Sequence, residues 1–195
     1  MPVPIVRATS ERVPELASLL GRSFADDPMF LWPLGSNLDA EPVEGFFRIF
    51  DERLASLGWL WEAGDGVGVA AWIPPGSDRA MMDLDRELRP AVVRGTDDGG
   101  TRYEGMWDWI AGHFPHEPFW YLDHIAVDAW HRGRGVGAAL ITHGLAFADH
   151  DGVPAFLETA RPENVGYYER RGFRTVSDAD VPGGGPHIWF MRYDP

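Results

Sequence analysis

Residues 119–127 read Phe-Trp-Tyr-Leu-Asp-His-Ile-Ala-Val, and shortly afterwards residues 131–140 read His-Arg-Gly-Arg-Gly-Val-Gly-Ala-Ala-Leu. The pattern predicts a strand that turns through a glycine-rich loop into an alanine-rich helix. Glycine carries no Cβ, so the backbone of this loop can approach a bulky anion closely. The first amides of a helix are unpaired and lie at the positive end of its dipole. The stretch therefore predicts a site for a phosphorylated ligand.

One interpretation of this loop is a dinucleotide site. Gly133-x-Gly135-x-x-Ala138 fits the G-x-G-x-x-G/A fingerprint, and Glu158 ends the next apolar run, where that fold places its ribose-binding acid. A dinucleotide fold, however, surrounds its loop with several strand–helix units. Only 58 residues follow Gly137, and they end in a predicted hairpin. The rest of the chain therefore disfavours an NAD-binding protein.

A second interpretation rests on two signatures together. Arg132, Gly135 and Gly137 meet the pattern R/Q-x-x-G-x-G/A, and residues 164–173 read Asn-Val-Gly-Tyr-Tyr-Glu-Arg-Arg-Gly-Phe, which matches N-x-x-x-Y-x-x-x-G-F. In this order the two signatures resemble those of the GNAT superfamily of acyl-coenzyme A N-acyltransferases. Further stretches resemble its puromycin N-acetyltransferase-like members, although the likeness is patchy in the first hundred residues, where the acceptor is selected.

The resemblance implies a fold and an activity. The fold is of the α/β (α+β) class: a mixed, mostly antiparallel twisted sheet with helices on both faces and splayed central strands. The activity is that of an acyltransferase, an N-acetyltransferase that moves the acetyl group of acetyl-coenzyme A directly to a primary amine of a small molecule. The residues implied to bind coenzyme A are Ile125, Ala126, Val127, Arg132, Gly133, Arg134, Gly135, Val136, Gly137, Ala138, Asn164 and Tyr168.

Periodicity and turn residues predict the elements along the chain. Strands are expected at 3–7, 58–62, 67–73, 119–127, 154–159, 173–180 and 187–193. The first helix is expected to be capped by Thr9 or Ser10 and stopped at Asp26-Asp-Pro28, with a loop after it. Further helices are expected at 39–57, 78–93, 101–113, 135–149 and 163–171. We expect one domain, 1–195, with 77–114 as a helical segment that varies among relatives.

Composition excludes several classes of function. The 195 residues carry a net charge of −13, which argues against nucleic acid as a partner and is compatible with cationic amines. The chain has no cysteine, so it has no thiolate nucleophile, and its histidines lack the spacing of metal ligands. No apolar run reaches 18 residues. We expect a cytoplasmic monomer or homodimer that does not contact a membrane.

The candidate catalytic residues come from the strand before the loop and from the second signature. Tyr168 stands at the family position of the general acid, and a phenol is a reasonable donor to a thiolate. Asp123 and His124 are both candidates for the general base, and Glu158 on the neighbouring strand is a third. Strict alternation places Tyr121 and Asp123 on one face and His124 on the other. The resemblance implies a bulge in this strand, which would change that assignment.

The acceptor pocket and Asn164 each leave alternatives open. Asp27, Phe30 and Trp32 lie in the loop between the first two helices, which the resemblance places at the acceptor; the alternative is a helix stop with core aromatics. Tyr121 and Glu158 are the other candidates for substrate binding. Asn164 either holds the pantetheine arm or caps the short helix.

Two further functions remain open. A non-catalytic acyl-coenzyme A sensor would share the loop, and Tyr168 argues against it. A protein or peptide N-terminal acetyltransferase would need an open groove, whereas the 77–114 segment and the many aromatic residues favour a closed pocket.

Overall fold

The computed structural model describes residues 3–35 and 40–195. The strands are β1 (Ile5–Arg7), β2 (Leu60–Ala63), β3 (Gly68–Ile73), β4 (Trp120–Val127), β5 (Ala155–Thr159), β6 (Arg174–Asp180) and β7 (His187–Tyr193). The helices are α1 (Val13–Phe24), α2 (Pro28–Leu34), α3 (Ala40–Leu57), α4 (Asp78–Gly95), α5 (Thr101–Ala111), α6 (Val136–Asp151) and α7 (Pro162–Glu169). Most predicted elements are confirmed to within about two residues at each end.

The strands form one sheet in the order β1-β2-β3-β4-β5-β7-β6. Every pair is antiparallel except β4 with β5, which is parallel. The expected mixed, mostly antiparallel sheet is confirmed. None of the described helices is long and apolar enough to span a bilayer.

The two central strands separate after a short paired stretch. β4 pairs with β5 only at Trp120 with Ala155 and at Tyr121 with Phe156. The side of β4 that faces β5 is therefore free of strand partners beyond Tyr121, and a wedge opens between the strands. This is the splay that the resemblance implied.

Alternate residues of the central strands bury themselves on opposite faces. Val69 and Ala71 pack with α1, α3 and α4, whereas Ala70 and Trp72 pack with α6 and α7. Helix α6 crosses the sheet closely, since a Cβ on Gly144 would come within 1.8 Å of the Trp72 ring. Both faces are thus covered, and α4 and α5 of the 77–114 segment lie on the α1–α3 side.

One predicted loop is wrong. Asp27 and Pro28 begin α2: the Asp27 Oδ1 accepts a hydrogen bond from the Met29 amide at 2.9 Å, and Pro28 stands at the first helical position. An N-cap aspartate followed by proline suits a helix start as well as a helix stop. The predicted start of the next helix at Asp39 lies outside the described residues.

Candidate active site

A bulge in β4 sets which side chains face the wedge. Ala71 is opposite His124 and Trp72 is opposite Leu122, so Asp123 has no partner on β3. The extra residue places Tyr121 and His124 on the same side, because one added position reverses a two-residue alternation. The assignment from strict alternation is therefore wrong, and the bulge that the resemblance implied is confirmed.

A cavity of about 990 Å³ lies on the α1–α5 side of the sheet and ends at β4 and β5. Its wall combines aromatic rings with carboxylates. Its aromatic residues are Phe24, Phe30, Phe46, Phe47, Phe50, Tyr103, Trp107, Phe114, Phe119, Tyr121 and Tyr168, and its acids include Asp27, Asp78, Asp85, Glu104, Asp108, Glu117, Asp123 and Glu158. A concave apolar wall with a few polar groups is typical of small-molecule sites.

A second cavity of about 900 Å³ lies at the start of α6. Its lining contains most of the residues predicted for coenzyme A: Ile125, Ala126, Val127, Arg132, Gly133, Gly135, Val136, Gly137, Ala138, Asn164 and Tyr168. Arg134 is exposed and is not part of this lining. Arg22, Arg161 and Arg171 also line it, and Arg161 forms ion pairs with Asp26, Asp27 and Glu163.

The loop before α6 leaves room for an anion against its backbone. Gly133 and Gly135 have φ values of +73° and +85°, which favour glycine, and a Cβ on either would meet nothing within 4 Å. The amide of Ala139 donates to the carbonyl of Gly135 at 2.9 Å. The amides before Ala139 in the first turn have no helical carbonyl to bond, so they are available to a ligand.

The two cavities meet at the wedge. Phe24, Asp27, Ile125, Asn164 and Tyr168 line both of them. Tyr168 is buried, and burial raises the pKa of its hydroxyl above the usual value near 10. The phenol therefore stays protonated at neutral pH and is able to donate a proton at the junction.

Asn164 lies inside the first turn of α7. The residue at the N-cap is Arg161, so the capping alternative for Asn164 is wrong. The Asn164 Nδ2 donates to the Thr159 Oγ1 at 3.4 Å.

Glu158 on β5 has the properties of a base. The Tyr121 hydroxyl donates to its Oε1 at 2.6 Å, and its Oε2 has no hydrogen-bond partner among the described residues. Burial raises the pKa of Glu158 to about 8, against the effect of the Tyr121 hydrogen bond and with help from the Asp123 charge. A carboxylate with a pKa near the working pH suits proton transfer.

His124 lies between two carboxylates. Its Nδ1 is 2.8 Å from the Asp123 Oδ1, and its Nε2 is 3.3 Å from the Asp51 Oδ1. Burial lowers the pKa of His124, but Asp51 and Asp123 outweigh it and raise that pKa to about 10. This direction favours the imidazolium at neutral pH, and an imidazolium has no lone pair to accept a proton. This favours Glu158 over His124 as the base.

Asp27, Phe30 and Trp32, the candidates for acceptor binding between the first two predicted helices, lie in different environments. Phe30 lines the acceptor-side cavity and packs on Phe24 and Phe47. Asp27 also lines it, but its Oδ1 caps α2 and its Oδ2 accepts from the Arg161 Nε at 3.0 Å. Trp32 packs in the core under α5 and lines neither cavity.

Asp51 is the residue that sequence reasoning missed. It is fully buried on α3, four residues after Phe47 and three before Leu54, within the helix's apolar stripe. A carboxylate on such a stripe is a signal, because an acid is almost never fully buried without a partner. In the part of the chain that the structure describes, no cluster of three or more possible metal ligands is found.

Comparison with known proteins agrees with this geometry. The family described as "Acetyltransferase (GNAT) family" matches residues 33–173. An uncharacterized N-acetyltransferase of Schizosaccharomyces pombe is 24% identical in an alignment 183 residues long, which covers 86% of this chain and 72% of that protein.

Two solved structures share the fold. One, described as "histone acetyltransferase HPA2 and related acetyltransferase" from Corynebacterium glutamicum, has a TM-score of 0.71 at 25% identity and covers 100% of this chain and 97% of its own. Arylalkylamine N-acetyltransferase 2 from Aedes aegypti has a TM-score of 0.62 at 14% identity and covers 100% of this chain and 99% of its own.

Proposed function

The chain belongs to the GNAT family of acetyltransferases, whose members use acetyl-coenzyme A, and we propose that it acetylates the primary amine of a small molecule. One observation carries the proposal: a cavity framed by a glycine loop and a cavity of aromatic and acidic side chains meet at Tyr168. The first suits an anionic phosphorylated cofactor, and the second suits an amine with an apolar body. Tyr168 lies where the two would react.

The residues at the loop fit coenzyme A. The open space around Gly133 and Gly135 would receive the pyrophosphate. The unpaired side of β4 at 125–127 would hydrogen-bond the pantetheine arm as it would an added strand. Bound acetyl-coenzyme A supplies the acetyl group as a thioester. Asn164 at the junction is the candidate for a hydrogen bond to the arm.

Two side chains then move the protons. Glu158, once ionised, removes a proton from the ammonium group of the acceptor, directly or through a water, so that the nitrogen lone pair becomes the nucleophile. Tyr168 gives its hydroxyl proton to the departing sulfur. After the nitrogen attacks the thioester carbon, it loses its second proton to solvent, and the carbon–sulfur bond breaks as the sulfur is protonated. The products are the N-acetyl amide and the free thiol; Glu158 then releases its proton to solvent, and Tyr168 regains one from it.

The cavity wall supports a small acceptor over a protein terminus. Helices α4 and α5 supply much of that wall, including Met81, Leu88, Tyr103 and Trp107. The arylalkylamine N-acetyltransferase of similar fold acts, by its name, on amines with an aromatic body, the class that this aromatic wall suits. The further resemblance to puromycin N-acetyltransferase-like members stays a prediction.

A panel of acceptors tests the proposal. Acetyl-coenzyme A is mixed with arylalkylamines, polyamines, puromycin and peptides with free N-termini, and thiol release is measured. We expect turnover with aromatic amines and none with the peptides. Turnover confined to peptides would favour the N-terminal acetyltransferase, and coenzyme A binding without turnover on any amine would favour the sensor.

The cofactor site makes a second prediction. Gly135→Ala places a methyl group in the space assigned to the pyrophosphate, and we expect its Kd for coenzyme A to rise about 10-fold or more, the loss of one or more charge-assisted hydrogen bonds. Calorimetry with coenzyme A measures the effect.

Gly152→Ala is the matched control for this variant. Gly152 ends the same helix with a φ of +65° and open space around its Cβ position, so both variants carry similar backbone strain. Equal affinities in the two variants would remove the pyrophosphate from this loop.

A further inference from the structure

The geometry points to Asp51 as a positioning residue that acts through His124: it fixes the Asp123 carboxylate as the anchor for the acceptor's ammonium group. This inference rests on the proposed function and narrows its substrate class to amines that bind as cations. Asp123 would hold the ammonium group, and Glu158 would deprotonate it.

Asp51 has one described cationic neighbour. Its side chain is fully buried, and the His124 Nε2 lies 3.3 Å from its Oδ1. That contact is an ion pair without good hydrogen-bond alignment, since neither Asp51 oxygen has a hydrogen-bond partner among the described residues. Burial raises the pKa of Asp51, and the contact with His124 lowers it. The ionised form of Asp51 therefore depends on a cation at the position of His124.

His124 has little freedom to move. Its ring packs against Phe47 and Phe50, with centroids 5.1 and 5.9 Å away. A protonated imidazole presents two N–H donors on opposite sides of the ring. The Nε2 lies on the side of Asp51 without hydrogen-bond alignment, and the Nδ1 is directed at the Asp123 Oδ1, 2.8 Å away. The buried side of the ring thus orients a residue on the cavity wall.

Asp123 occupies the bulge of β4, where it has no strand partner to fix its direction. One of its oxygens accepts from His124, and the residue lines the acceptor-side cavity. Its second oxygen makes no hydrogen bond within the described residues and is available to an ammonium group. A neutral His124 would hold this carboxylate only through its Nδ1–H tautomer, by a hydrogen bond weaker than the charge-assisted one that the imidazolium donates.

The charges around the ring come from several elements. Asp51 faces it from α3 and Asp123 from β4, while Glu158 on β5, Tyr121 on β4 and Tyr103 on α5 lie near Asp123. The cluster holds three carboxyl groups and one imidazolium. At a pH where all three carboxyl groups are ionised, a cationic acceptor brings it closer to neutrality, whereas a neutral acceptor does not.

Asp51→Asn tests the inference by two measurements on the whole protein. Nitrogen-15 NMR of the histidine rings should find His124 protonated at pH 8 in the native protein and protonated to a smaller extent in the variant, because Asp51 is the largest of the effects that raise its pKa and only Asp123 remains. The KM for a cationic amine should rise roughly 10-fold, while kcat changes much less. A merely structural role for Asp51 would not split KM from kcat.

Glu62→Gln is the control for loss of a buried acid. Glu62 is buried and paired with Arg12 through a 3.1 Å contact, and it lines neither cavity. The Glu62→Gln variant should be less stable than the native protein but should keep the native charge of His124 and the native KM. If Asp51→Asn does not fold, the pair Asp51→Asn with His124→Gln removes both buried charges and should restore folding with the raised KM.

A folded variant with native KM, or a native His124 that is neutral at pH 8, would overturn the inference. An inactive native protein would instead count against the proposed function, and the NMR result would still decide whether Asp51 fixes the charge of His124.

Discussion

Replacing Tyr168 by phenylalanine should lower kcat about 10²–10⁴-fold, the usual contribution of a general acid. The variant keeps the ring, which packs edge-on against Phe173 and fills the junction of the two cavities. It loses only the hydroxyl, so the affinity for coenzyme A should hardly change. The measurement is kcat with acetyl-coenzyme A and an accepted amine, together with calorimetry of coenzyme A.

Tyr193→Phe is the matched control for this loss. Tyr193 donates to Asp149 at 2.7 Å and lines neither cavity, so its variant should turn over at the native rate. A Tyr168→Phe protein as fast as the native one would mean that solvent or another group delivers the proton.

Local signals predicted most of the fold. Neighbouring residues in the chain determine the strand, the glycine loop and the helix at 119–151. They also determine the turn of the hairpin at 174–193. Helix α2 was missed because Asp27 and Pro28 suit either the end of one helix or the start of another, and Pro33 inside the segment lowers its helical tendency. Ambiguous turn residues and a proline inside the segment together caused this error.

The site was predictable only in part, because its chemistry depends on contacts between distant elements. Sequence placed Asp123 and His124 next to each other but gave no charge state for either. The charge of His124 depends on Asp51, 73 residues earlier in the chain, and on the depth at which these two residues are buried. Likewise the hydroxyl of Tyr121 and the carboxylate of Glu158 meet only because β4 and β5 pair at their first residues.

The strongly acidic chain divides its charges between the two cavities. Arg22, Arg132, Arg161 and Arg171 line the cavity at the glycine loop, whereas carboxylates predominate in the acceptor-side cavity. Under the proposed function, the first set would attract the anionic cofactor and the second the ammonium group of the acceptor. The net charge of −13 alone predicts only the second preference. The position of the arginines supplies the first.

Glu158→Gln should lower kcat/KM about 10²–10³-fold near pH 8, because it removes the base and keeps an oxygen to accept from Tyr121. In the native protein kcat/KM should rise with pH through the Glu158 pKa of about 8, as the carboxyl ionises. The variant should lack that rise. Its rate should recover only as the amine itself loses its proton, near pH 10 for an alkylamine, so the defect shrinks at high pH.

Thermal stability gives an independent measurement of the same ionisation. Because the folded pKa of Glu158 is raised above the ordinary glutamate value, the folded protein holds this proton more tightly than the unfolded chain. The ionisation of Glu158 therefore lowers the free energy of unfolding progressively as the pH rises from about 4 to about 8. Glutamine cannot ionise, so the Tm of the variant should gain on that of the native protein across this range. If the variant kept the native pH–rate profile, the base would be Asp123 or a water. If the difference in Tm between the variant and the native protein did not change from pH 4 to pH 8, Glu158 would ionise at its ordinary pKa.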